Sequence, residues 1–157
     1  MVKAENENER IFLNFFEALS SGDLKRVRDL FHEEAAWVVQ VKGIAGAGTH
    51  HGKKGIVDDF LAPVRGMFKP GDPKINVTSI ASKGPLVIGE STGKGTFADG
   101  RAYDNLYVWA LEIKDGKVYR LREYMDSFYV AQLQGAAKLR KSATRKRARW
   151  MPRGSTN

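Results

Sequence analysis

The residues of this 157-residue chain that could do chemistry collect in its last third. Tyr103, Asn105, Tyr107 and Trp109 alternate with other residues, so an extended chain places all four on one face. Aromatic area combined with two hydroxyls and an amide makes a pocket wall for an apolar or aromatic small molecule. The same stripe would serve equally as core or as a dimer interface. A buried Asn105 needs partners, which a ligand or Asp126 would supply. Further on, Arg122, Tyr124 and Asp126 alternate in the same way. Arg122 is then placed either to pair with the Asp126 carboxylate, closing the structure, or to bind an anionic group of a substrate.

The histidines offer less. His32 falls in the loop after a short helix and is expected to be exposed. His50 and His51 fall in a Gly-rich loop, where a neutral imidazole shuttles protons near pH 7 or simply bonds loop backbone. Adjacent histidines without further spaced donors, and a chain without cysteine, predict no metal site, no disulfide and no thiolate nucleophile. Gly93-Lys94-Gly95-Thr96-Phe97-Ala98 matches GxGxxA formally. It lies within a hairpin strand instead of between a strand and a helix, so no dinucleotide site is expected and the glycines serve curvature or a bulge.

The elements that must position these residues follow from periodicity. Ile11, Phe12, Phe15, Phe16 and Leu19 predict an amphipathic helix over residues 5–20, stopped by Gly22. Asp23 caps a second short helix carrying Leu24, Val27, Leu30 and Phe31. Residues 35–41, including Trp37, predict a strand, and residues 43–52 a loop. Ile56, Val57, Phe60, Leu61, Val64 and Phe68 mark a third helix that Pro63 kinks. Period-two patterning then gives strands over 74–82, 86–97, 101–114 and 117–125, joined by Gly-containing hairpin turns. A short helix over 127–134 follows. Helices first and an antiparallel meander second predict an α+β fold, a curved, mostly antiparallel sheet wrapped around three to four helices.

The formal net charge of +8 suggests a polyanionic partner. Its position changes that reading. Residues 136–157 carry eight Lys and Arg and no acid, and the 18 basic residues before them equal the 18 acidic ones. Residues 1–135 therefore read as a neutral domain. Residues 136–157 read as a basic tail that is flexible and solvated, makes weak, salt-dependent contact with polyanions, or extends the last helix. No stretch approaches the length of a membrane span, and the acidic start lacks a signal-peptide pattern, so a cytoplasmic setting is expected.

This order of elements resembles the nuclear transport factor 2-like superfamily, and local strings resemble its SnoaL-like branch. The strings are Ser21-Gly22-Asp23-Leu24, Leu30-Phe31, Ala35-Ala36-Trp37, His51-Gly52-Lys53, Tyr103-Asp104-Asn105-Leu106-Tyr107, Asp115-Gly116-Lys117-Val118 and, most specifically, Arg122-Glu123-Tyr124-Met125-Asp126-Ser127. The resemblance covers residues 8–135 and implies a cone-shaped fold and a homodimer. It also brings relatives of differing chemistry. The carboxylate base of ketosteroid isomerases would fall on Val39 or Gln40, their tyrosine on Phe15 and their second acid near Tyr107 or Val108, so that mechanism is not expected. Of the residues that limonene epoxide hydrolases use, only the last-strand acid remains, as Asp126. Ser91 and Gly93 stand for the Arg and Asp, and Trp37 and Val39 for the Tyr and Asn. The polyketide-cyclase likeness asks least: an apolar pocket and one acid/base carboxylate, with no cofactor. It implies Asp126 as that acid/base, His51 at the pocket mouth, and Trp37, Phe60, Tyr103, Asn105, Tyr107, Trp109, Arg122 and Tyr124 around the substrate. The competing expectation is a non-catalytic ligand-binding or assembly module of the same fold.

Overall fold

A computed structural model describes residues 2–135. The expectations for residues 136–157 lie outside the described residues. Helix α1 (Glu7–Ser21) starts where the Asn6 side chain accepts the Glu9 N–H at 3.0 Å and ends at Gly22, whose φ of 79° suits a residue without a Cβ. Its Phe12, Phe15, Phe16 and Leu19 are buried, as the spacing predicts. Asp23 caps α2 (Leu24–Leu30) through the Arg26 N–H at 2.9 Å.

The chain then enters β1 (Phe31–Val39) without a loop. His32, expected in a loop, is therefore a strand residue, half-buried edge-on against Tyr119 at 5.4 Å. The predicted loop over 43–52 also contains a strand, β2 (Gly48–His51), which pairs antiparallel with β1 and puts His50 opposite Trp37 and His51 opposite Ala36. The third helix is π-helical over Lys54–Leu61 and α-helical over Ala62–Arg65. Pro63 lacks an N–H and its ring crowds the carbonyl four residues back, which the wider turn ahead of it relieves.

Strands β3 (Lys74–Lys83), β4 (Leu86–Thr96), β5 (Ala102–Lys114) and β6 (Lys117–Met125) form the predicted meander. The six strands lie in the order β2-β1-β6-β5-β4-β3, with β1 parallel to β6 and every other pair antiparallel. The sheet is open, and α1 packs its phenylalanines against the inner face, where Phe15 meets Trp37 and Phe16 meets Trp109. A closing helix over 127–135 follows β6. Among the described residues no helix is long and apolar enough to cross a membrane.

Candidate functional site

The stripe on β5 lies on the inner face: Tyr103, Asn105, Tyr107 and Trp109 are all buried. Gly93 on β4 sits opposite Asn105, and a Cβ there would come within 2.8 Å of the Tyr107 ring. Its role is the close approach of a ring to backbone. The hydroxyls of Tyr103 and Tyr107 are hydrogen-bonded to each other. Asn105, only 2% exposed, donates from Nδ2 to the Tyr103 hydroxyl at 3.1 Å and accepts the Leu106 N–H at 2.9 Å. Its partners are thus its own neighbours, and Asp126 is not among them. Trp109 stacks on Tyr107 at 4.8 Å and donates its indole N–H to Ser91 at 2.8 Å.

Directly across from Trp109, on β6, stands Glu123. It is 6% exposed, and one carboxylate oxygen accepts the Trp37 indole N–H at 2.7 Å. Burial raises its pKa to about 7 against the opposing effect of that hydrogen bond. Burial likewise raises Tyr103, and Tyr107 strongly, so both phenols stay protonated and able to donate. Trp37 meets Trp109 edge-on at 5.9 Å and Phe60 at 5.7 Å. His50 stacks on Phe60 at 3.9 Å, and its Nε2 lies 3.0 Å from the Gly46 carbonyl. The imidazole against this aromatic group is therefore His50, whereas His51 is exposed.

Arg122, Tyr124 and Asp126 lie elsewhere. A one-residue bulge causes this: Lys114 pairs with Lys117 and Ile113 with Val118, but Glu112 pairs with Arg120, leaving Tyr119 extra. The slip sends Glu123 inward and its even-numbered neighbours outward. Arg122 forms its ion pair with Glu112 on β5, so the expected pairing with Asp126 is corrected. Tyr124, exposed, lies opposite Val108. Asp126 accepts the Tyr129 N–H at 3.0 Å and so caps the closing helix. Asp126 and Tyr124 line an open groove of about 450 Å³ with Thr78, Glu90, Thr92, Leu106, Val108 and Met125, and Ser91 and Tyr107 line it too. The structure thus brings Trp37, Phe60, Tyr103, Asn105, Tyr107 and Trp109 together around a carboxylate that the sequence reading passed over. Among the described residues no group of three His, Cys, Asp or Glu is placed to hold a metal.

The profile of the SnoaL-like domain matches residues 12–121. No curated protein matches the sequence. Among solved structures, Bal32a from a soil-derived mobile gene cassette is 25% identical with a TM-score of 0.69, covering 79% of this chain and 92% of its own. TerC, co-crystallised with polyporic acid, is 22% identical with a TM-score of 0.72, covering 82% and 98%. A protein from Catenulispora acidiphila with a ketosteroid isomerase-like fold, in complex with trimethylamine, is 15% identical with a TM-score of 0.63, covering 73% and 83%. The profile match spans most of the fold that positions the aromatic face and Glu123: the chain belongs to the SnoaL-like domain family, within the nuclear transport factor 2-like superfamily.

Proposed function

We propose that this protein binds an apolar or aromatic small molecule inside the cone and acts on it as a cofactor-free isomerase, cyclase or lyase, with Glu123 as the acid/base. One observation carries the reading: a buried carboxylate, held by a single indole N–H, has a pKa of about 7 and is therefore equally ready to take or give a proton at neutral pH. An enolisable ketone supplies the simplest step. The Glu123 carboxylate takes the proton α to the carbonyl, the C–H electron pair moves into the enolate, and the outer hydroxyl of the Tyr103–Tyr107 pair, itself accepting from the other, donates to its oxygen. Glu123 then returns the proton to another carbon or to a departing oxygen. TerC, co-crystallised with polyporic acid, is a neighbour of this fold that takes a small molecule.

Asp126 as acid/base and His51 as shuttle remain the alternatives within this reading, and one experiment separates them. Deuterium exchange into 2-tetralone is followed by NMR for wild type, Glu123→Gln, Asp126→Asn and His51→Gln. Exchange that is lost only in Glu123→Gln, with a rate inflecting near pH 7, supports the assignment. Equal exchange in wild type and Glu123→Gln overturns it, and loss in Asp126→Asn or His51→Gln returns the role to that residue.

A second reading, an assembly module, is favoured by the outer sheet face. Leu106 there is 65% exposed, and Ile88, Val108 and Tyr124 are exposed beside it. An apolar face of this kind suits a second copy of the chain.

A further inference from the structure

We propose that the interior site recognises the cationic nitrogen of a small apolar amine, with the Glu123 carboxylate as its counter-ion and Trp37, Trp109 and Tyr107 as its walls. The proposal rests on the reading above only in taking the interior to admit small ligands.

A buried carboxylate is stable when neutral or when paired with a cation. Glu123 forms no ion pair with any described Lys, Arg or His, and its one hydrogen bond, from Trp37, occupies one oxygen. Among the described residues no side-chain oxygen or nitrogen without accessible surface lacks a partner, so the second Glu123 oxygen, which has no partner, keeps some accessible surface. The residues around it on the inner face are aromatic. Trp109 stands directly across the sheet, Trp37 makes the hydrogen bond, and Tyr107 stacks on Trp109. Aromatic faces attract ammonium groups through the ring quadrupole, and a carboxylate adds the full opposite charge. Both features favour positive charge, and a neutral ligand gains the apolar contact of the rings without the ion pair.

The other groups facing Glu123 leave it to set the charge. From β5 come the neutral hydroxyls of Tyr103 and Tyr107, from β4 Ser91 beside Trp109, and from α1 Phe15 and Phe16 behind the indoles. The third helix contributes Phe60, and His50 of β2 reaches the site only through its stack on Phe60.

Tetramethylammonium is the probe, since its charge does not titrate, and tert-butanol is its neutral counterpart. Titrations of the full chain between pH 5.5 and 8.5 are read on the indole N–H resonances. Because a proton and the cation compete for Glu123, affinity should fall about tenfold for each pH unit below about 7 and level off above it. Glu123→Gln should weaken tetramethylammonium at least tenfold at pH 8, and tert-butanol should bind no better than it does to that variant. Should the variant fail to fold, the wild-type pH profile decides alone. An affinity independent of pH, equal binding of tert-butanol, or no binding at 100 mM overturns the proposal. Ketone exchange without ammonium binding would sink this proposal and leave the acid/base reading standing; ammonium binding without exchange would do the reverse.

Discussion

Replacing Glu123 by Gln removes one charge and almost no volume, so it isolates what burying the carboxylate does to stability. The carboxyl has its ordinary pKa of 4.5 in the unfolded chain and about 7 in the fold. Between those values the native state holds a proton that the unfolded state has released. Wild-type stability therefore declines as pH rises through this window, and the whole penalty is present above pH 7. The shift corresponds to about 3 kcal/mol. The substituted amide would retain an oxygen to accept the Trp37 N–H and resemble the protonated acid in carrying a donor. The variant should match wild type near pH 4 and exceed it by up to about 3 kcal/mol near pH 8.5. Urea unfolding of both proteins at the two pH values measures this, since every other titrating group is shared and cancels in the difference. A difference between the proteins that does not change with pH would refute the reasoning, because Glu123 would then ionise alike in the folded and unfolded chains.

Asp126→Ala should remove the cap of the closing helix, at about 1 kcal/mol; hydrogen exchange should quicken over residues 127–135 and not in β5, and unaltered exchange would deny the capping role. Leu106→Lys places a charge on the exposed apolar face and should shift a dimer to monomer in light scattering, with the circular dichroism spectrum unchanged; an unaltered mass would free that face from any role in assembly. Gly89→Ala would bring a Cβ within 2.5 Å of Phe12 Cζ and 2.9 Å of the Ser79 carbonyl, with strand backbone on one side that cannot yield. It should lower stability by about 1–3 kcal/mol in the same urea assay. Removing residues 136–157 takes away the whole excess positive charge and should abolish any heparin retention at low salt while leaving thermal unfolding in place.

Much of the scaffold was legible because its signals are local. The Phe12, Phe15, Phe16 and Leu19 spacing writes α1, and the turns at Lys83-Gly84-Pro85, Ala98-Asp99-Gly100 and Lys114-Asp115-Gly116 delimit the meander to within a residue or two. The β5 stripe was legible for the same reason, since alternation within one regular strand fixes which side chains share a face. Edge strand β2 was not: four residues, Gly-Thr-His-His, carry no alternation of their own and become a strand only because β1 offers unpaired backbone. The same holds for His32, which joins β1 although nothing in its neighbours' polarity demands it.

The carboxylate at the centre of the site was lost to a single residue of register. Counting back from the hairpin, where Lys114 faces Lys117, puts Arg122 opposite Trp109 and on the inner face; the bulge at Tyr119 puts Glu123 there instead. A clue stood in the sequence: Val118 and Leu121 are both apolar, and both prove buried, whereas residues three apart cannot face the same way in a regular strand. One irregularity between them was required, and it decides the sign of charge inside the cone. An unbulged β6 would aim a guanidinium at the two tryptophans and suit an anion. The bulged strand aims a carboxylate at them, holds the arginine outside against Glu112, and leaves Asp126 to cap a helix.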